Sequence, residues 1–288
     1  MDKYTKILVT GCKGQIGTEV MEELAKRGYD NVSGIDIGDL DLKDEIKVTD
    51  YICQFAPEVI IHTAGYTGVD RAENAHNSYP INALAAKYIA VAAEIVGAKM
   101  IYISTEKVFD GLKDGEYEVD DVKNPLSAYG SSKSIGENFV NEYCSQAFIL
   151  RSSWVYSKHG HGYLNTFLET CKSGATEIPI ANDRVGSPTY AEDLARVIVD
   201  LIETDKYGTY HATNEGYISL YDFMKLLVDK MGISVNLKSV TYEEYNKLYP
   251  GLAKRPKNAR LSKKSLDEIG IKRLPSIEDA LDRFLMEE

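Results

Sequence analysis

Thr105, Tyr129 and Lys133 are the side chains whose types and spacing suit a chemical step. Tyr129 and Lys133 lie four positions apart, so on a helix they share one face and the ammonium group can stand beside the phenol. A free phenol titrates near ~10, too high for proton transfer at neutral pH, and a neighbouring cation lowers that value by favouring the phenolate. With a hydroxyl from Thr105, or from Ser104 beside it, bonded to a carbonyl oxygen, Tyr129 would protonate that oxygen while a bound cofactor supplies hydride to carbon. Spacing alone does not select this pair, because Tyr221 and Lys225 repeat it. Context separates the two. Tyr129 follows the loop after an apolar run ending in Ser104 and Thr105, whereas Tyr221 opens a stretch with Phe223, Leu226 and Leu227 that reads as a packing helix.

Such a pair needs a strand from Lys99 to Ser104 and a helix from Ala128 to Cys144 to carry it, and the preceding chain supplies a matching frame. Ile7, Leu8 and Val9 lead into Thr10 and a loop with Gly11, Gly14 and Gly17, and Gln15 and Ile16 open a helix that runs to Arg27. Strand, glycine loop and helix in that order let the backbone approach a pyrophosphate at a helix N-terminus. The strand from Val32 to Ile35 ends at Asp36, 19 residues beyond Gly17, where a carboxylate can accept both ribose hydroxyls. Asp36 would repel a 2'-phosphate, which favours NAD(H) over NADP(H), with Lys13 partly offsetting that repulsion. Asp41 and Leu42 are placed to border the adenine.

A helix from Asp44 to Phe55 and a strand from Val59 to Ile61 follow, and then His62, Thr63, Ala64, Gly65 and Tyr66. The small residues there let a dinucleotide cross the sheet edge. An Ala-rich helix from Asn82 to Val96 and a strand from Ala147 to Leu150 complete the alternation. The expected fold class is α/β, a Rossmann-type doubly wound parallel sheet. It should occupy residues 1–155, with residues 156–288 forming a smaller substrate-binding region and segments near 185–212 returning to the sheet. In that second region a helix is expected from Leu164 to Cys171, a short run from Glu177 to Ile180, helices from Ala191 to Ile202, Leu220 to Met231 and Ser276 to Leu285, and a polar, Tyr-rich connection before Arg255.

Composition excludes other classes. Lys+Arg 33 against Asp+Glu 44 gives a formal net charge of -11, which opposes a phosphate backbone, so no nucleic-acid partner is expected. Cys12, Cys53, Cys144 and Cys171 are dispersed, which reads as free thiols in a reducing cytoplasm. His159 and His161 form the one close histidine pair, without an obvious third ligand, and no metal is expected. No apolar run approaches the ~18 residues of a membrane span, and the first residues leave no room for a leader. A monomer or homodimer acting on a small molecule is the expectation.

With these residues placed, the whole chain resembles the dTDP-4-dehydrorhamnose reductase family, a branch of the extended short-chain dehydrogenases/reductases. The resembling blocks are the glycine loop with Gln15, the run from Tyr66 through Thr67 and Val69 to Glu73, and Ser104-Thr105 followed by Val108-Phe109-Asp110-Gly111. Tyr129-Gly130 with Lys133 and Gly136-Glu137, Arg151 to Tyr156, Gly186 to Thr189 and Arg255 to Asn258 continue it. The resemblance implies that Thr105, Tyr129 and Lys133 are the catalytic set of an NAD(P)H-dependent reduction of a 4-keto group on a deoxysugar nucleotide, giving dTDP-L-rhamnose in the family reaction. It implies that Thr67, Val69, Thr105, Glu106, Lys107 and Trp154 face the sugar, although the only Trp of the chain reads equally as a core anchor.

The cations Arg184, Arg255, Lys257 and Arg260 could hold a diphosphate. The chain departs from the family where Asp-Tyr is usual after the threonine and Glu106-Lys107 stands instead, and where Asp-Gln is usual and Asp183-Arg184 stands instead. The alternatives are a reductase of a different nucleotide-linked 4-keto sugar and a non-catalytic regulatory subunit like that of methionine adenosyltransferase. The related dehydratases need an acid pair after the threonine, and Lys107 breaks it.

Overall fold

A computed structural model describes residues 1–75 and 77–286; His76, Glu287 and Glu288 lie outside it. The first half runs β1 (Ile7–Thr10), α1 (Gln15–Lys26), β2 (Val32–Ile35), α2 (Glu45–Phe55), β3 (Val59–His62), α3 (Val69–Ala75), α4 (Ala85–Val96), β4 (Lys99–Thr105), α5 (Ala128–Tyr143) and β5 (Ala147–Ser152). The second half runs β6 (Val155–Tyr156), α6 (Tyr163–Lys172), β7 (Glu177–Ala181), β8 (Val185–Gly186), β9 (Thr189–Tyr190), α7 (Ala191–Ile202) and β10 (Gly208–His211). It continues through β11 (Ile218–Ser219), α8 (Leu220–Met231), β12 (Asn236–Val240), α9 (Tyr242–Leu248), β13 (Asn258–Ala259), α10 (Lys264–Asp267) and α11 (Ile277–Met286).

Alternation along the strands builds the layers, because successive side chains point to opposite faces. Ile7 and Val9 of β1 enter one apolar layer and Leu8 the other; Val59 and Ile61 oppose Ile60 in β3, and Phe148 and Leu150 oppose Ile149 in β5. The first layer is closed by Val20 and Leu24 of α1 with Leu194, Ile198 and Leu201 of α7. The second is closed by Val48 and Ile52 of α2, Ile89 and Ala93 of α4 and Val140 of α5. Six parallel strands result, in the order β10-β5-β4-β3-β1-β2. An α/β fold with helices on both faces of a parallel sheet binds ligands at the carboxyl ends of its strands, where the order reverses about β1.

A third apolar cluster lies outside this sheet, with Tyr156, Leu164, Phe167, Phe223, Leu227, Leu281 and Phe284 at its centre. Of residues 185–212, α7 and β10 join the main layers, while β8 pairs with β11 and β13 and β9 pairs with β6. Two elements differ from expectation. The helix foreseen from Asn82 begins as a π-helical turn, Pro80–Leu84, before α4, and the Tyr102 hydroxyl donates to the Asn82 carbonyl at 2.7 Å there. The Tyr-rich connection contains β12 and α9. The α9 helix starts at a capping box in which the Thr241 side chain accepts from Glu244 N and Glu244 accepts from Thr241 N. That four-residue signature was present in the sequence.

Candidate active site

Ser127 opens α5, its hydroxyl accepting the Gly130 N–H at 3.1 Å, and this cap fixes the turn that carries Tyr129. One turn beyond Lys133, the buried Glu137 carboxylate accepts from Ser104 Oγ at 2.5 Å, from Arg151 Nε and Nη2 at 2.8 Å each, and from Lys123 Nζ at 3.1 Å. This clamp holds α5 against β4 and β5. It also separates the two hydroxyls at the end of β4: Ser104 gives its proton to the Glu137 clamp, whereas Thr105 is the one that acts on Tyr129. Gly136 permits the close approach, since a Cβ there would lie 2.3 Å from both the Asn82 carbonyl oxygen and the Tyr102 hydroxyl.

Tyr129 is pushed up from its ordinary value, by burial first and then by the Glu106 charge, with the Thr105 hydroxyl pulling it down. The expected lowering by Lys133 is not what acts here. Burial brings Lys133 itself down to about 7, against the pull of Glu137. Its Nζ stands 3.9 Å from the centre of the Tyr102 ring.

These residues line one cavity of about 1130 Å³. At one end it follows Gly11, Gly14, Gln15, Ile16 and Gly17, then Asp36, Asp41 and Leu42, with Ala64, Gly65 and Tyr66 at the sheet edge. A Cβ at Gly17 would lie 2.0 Å from the Gly11 carbonyl oxygen, so the loop holds this tight shape only with glycine there. The turn lays backbone N–H groups at the start of α1, which suits a pyrophosphate. Asp36 is tied into the same corner, its two oxygens accepting Lys13 N at 3.0 Å and Ile37 N at 2.8 Å.

At the other end lie Thr67, Val69, Thr105, Glu106 and Lys107, then Trp154, Arg184 and Arg255. Trp154 has φ 47°, a left-handed backbone that costs a bulky residue energy. Arg184 stacks beside it, 5.7 Å from the Trp154 ring and 5.5 Å from Tyr242. Burial and the neighbouring Arg255 push Arg184 down to about 10, and its buried Nε has no hydrogen-bond partner among the described residues. Arg255 pairs with Asp70 at 2.6 Å. Two expected diphosphate ligands fall elsewhere: Lys257 pairs with Asp183 at 2.6 Å on the surface, and Arg260 Nε donates to Asn258 Oδ1 at 2.8 Å, neither lining the cavity.

Sequence reasoning missed Asn82, Tyr242, Tyr245 and Tyr249, all of which line it. Asn82 reads as one polar residue in an Ala-rich helix, yet it accepts Tyr66 N at 2.8 Å and donates to Tyr66 O and Ser132 Oγ at 3.0 Å each. The two loop histidines part company. His161 lines the cavity, whereas His159 meets Glu19 and Glu22 of α1, the donor atoms of these three lying within 4.8 Å of one another.

A parallel sheet in this strand order, with a glycine loop after its first strand and a Tyr–Lys helix before its fifth, is the build of the extended short-chain dehydrogenases/reductases. The family model described as RmlD substrate binding domain matches residues 5–288. The spore coat polysaccharide biosynthesis protein SpsK of Bacillus subtilis is 33% identical over 284 residues, covering 98% of each chain. The dTDP-4-dehydrorhamnose reductase of Aggregatibacter actinomycetemcomitans is 35% identical over 265 residues, covering 89% of this chain and 90% of its own. A crystal structure of dTDP-4-dehydrorhamnose reductase from Bacillus anthracis in complex with NADP superposes with a TM-score of 0.92 at 38% identity, covering 99% of both chains. The chain belongs to the dTDP-4-dehydrorhamnose reductase family.

Proposed function

We propose that this chain reduces the 4-keto group of a deoxysugar nucleotide with NAD(P)H, as its family does, and that dTDP-4-dehydrorhamnose is the first substrate to test. The observation that carries this reading is that Thr105, Tyr129 and Lys133 line one cavity together with the glycine loop and with Trp154, Arg184 and Arg255. Gly11, Gly14, Gln15, Ile16 and Gly17 would hold the dinucleotide, with Asp36, Asp41 and Leu42 at its adenosine end and Ala64, Gly65 and Tyr66 under its middle. The bound dinucleotide supplies hydride. Tyr129 protonates the carbonyl oxygen, Thr105 hydrogen-bonds it, and Lys133 stands one helical turn behind the phenol.

Thr67, Val69 and Trp154 would flank the sugar, and Arg184 and Arg255 its diphosphate. Asp36 by itself favours NADH. The complex of the Bacillus anthracis relative with NADP supports NADPH as the better choice, and here the Asp36 carboxylate is engaged by the loop backbone beside Lys13. We further propose that the nucleotide-binding lobe comprises residues 1–155 with α7 and β10, and that the remainder closes over the sugar nucleotide. Among the described residues no helix is long and apolar enough to cross a membrane, and four free thiols support a cytoplasmic setting.

Absorbance loss with NADH and with NADPH on a panel of nucleotide-linked 4-keto-6-deoxy sugars tests the reading. Turnover of at least one member is expected, and none, with cofactor bound, would refute it. Tyr129→Phe should cut kcat by about 10²–10⁴-fold and leave the cofactor Kd unchanged, because the lost hydroxyl acts on the reacting oxygen.

A further inference from the structure

Thr105 has one hydroxyl proton, and the structure commits it: Thr105 Oγ1 donates to Glu106 Oε2 at 2.7 Å. A hydroxyl engaged that way cannot donate to a carbonyl oxygen at the same time. Glu106 is 1% exposed, and its other oxygen takes the Lys107 ammonium at 2.5 Å. Thr105 Oγ1 also accepts the Lys107 backbone N–H at 3.2 Å. The threonine is therefore held on the donor and the acceptor side by the two residues that follow it, and all three line the cavity.

We infer that Glu106 reads a hydroxyl on the carbon next to the reacting carbonyl, and that this contact releases Thr105 for catalysis. The inference rests on the reductase reading and narrows its substrate to an α-hydroxyketone of the sugar ring. The two oxygens of an α-hydroxyketone sit on adjacent carbons, and Thr105 Oγ1 and Glu106 Oε2 are neighbours at 2.7 Å, so one edge of the sugar meets both. A vicinal hydroxyl donating to Glu106 Oε2 takes the place of the Thr105 proton. The Thr105 O–H then turns to the carbonyl oxygen, beside the Tyr129 phenol.

The exchange swaps one hydroxyl–carboxylate bond for another of the same strength. A ketone without the hydroxyl must break the Thr105–Glu106 bond and leave a buried carboxylate short of a donor. Lys107 holds the other Glu106 oxygen with its ammonium, a charged contact the tyrosine usual at that position would not make. Lys107 is thus a positioning residue acting through Glu106, while Glu106 meets both the substrate hydroxyl and Thr105.

The test compares a nucleotide-linked 4-keto-6-deoxy sugar with its analogue lacking the hydroxyl at C3, on the wild-type enzyme with cofactor. The analogue is expected to lose roughly 10–100-fold in kcat with a smaller change in KM. Glu106→Ala should bring the two kcat values to within about threefold of each other, the coupling having lost one partner. Because that variant strands the Lys107 ammonium, Glu106→Ala with Lys107→Met serves if the single change does not fold. Equal kcat on the two ketones, a penalty confined to KM, or a kcat gap that survives removal of Glu106 would each overturn the inference and leave the reductase reading standing. Turnover of neither ketone would overturn both.

Discussion

Lys133 contradicts the simplest reading of a Tyr-x-x-x-Lys pair. Buried at 5% exposure, its ammonium is brought down to about 7 by desolvation, against the pull of the Glu137 charge. The folded value lies below the ~10.4 of a free lysine, so between those values the unfolded chain binds more protons and stability rises with pH. Below about 7 both states are protonated and the whole cost of burying the charge is present. Lys133→Met is therefore expected to raise the melting temperature, by more at pH 6 than at pH 9, while abolishing turnover; a scanning calorimeter reads the first and the reductase assay the second. Groups that catalyse at a cost in stability behave this way.

Among the elements, α5 depends on Glu137 for its place. Burial by itself would raise that carboxyl, and the Arg151 guanidinium outweighs it, with Lys123 and Ser104 adding to the pull, so it is held below the usual carboxylate range. A depressed folded value means the contribution is complete above the unfolded pKa of ~4.3 and is lost as pH falls through the folded one. Glu137→Gln strands the buried Arg151, and removing one partner of such a pair costs about 3–5 kcal/mol. Urea unfolding at pH 7 should show that loss, and the gap between variant and wild type should narrow in acid.

Across the whole molecule, residues remote in sequence form opposite walls of one cavity. Asp70, in the first turn of α3, accepts from Arg255 Nη2 at 2.6 Å and from Ala253 N at 3.0 Å, which ties the C-terminal segment to that helix. Arg255→Met should raise the KM for the sugar nucleotide roughly tenfold, the loss of a charged hydrogen-bonding partner, with a smaller change in kcat. An unchanged KM would remove Arg255 from the substrate site.

What the sequence determined by itself is the local and periodic part of this protein. The alternation in Val59, Ile60 and Ile61, the glycines of the first loop and the cap at Ser127 act over a few residues, and each forms its element where the pattern places it. The order of Thr105, Tyr129 and Lys133 likewise identified the reaction type, because strand end and helix are joined by one loop. The tertiary structure decided what depends on partners far along the chain. It committed Ser104 to Glu137, engaged Asp36 in the loop, kept Lys257 and Arg260 out of the cavity lining and turned Asn82 into a tie between Tyr66 and α5. It also set the charge of Lys133. Desolvation and pairing arise only when separate elements enclose a side chain, and no spacing along the chain encodes how much water remains around it.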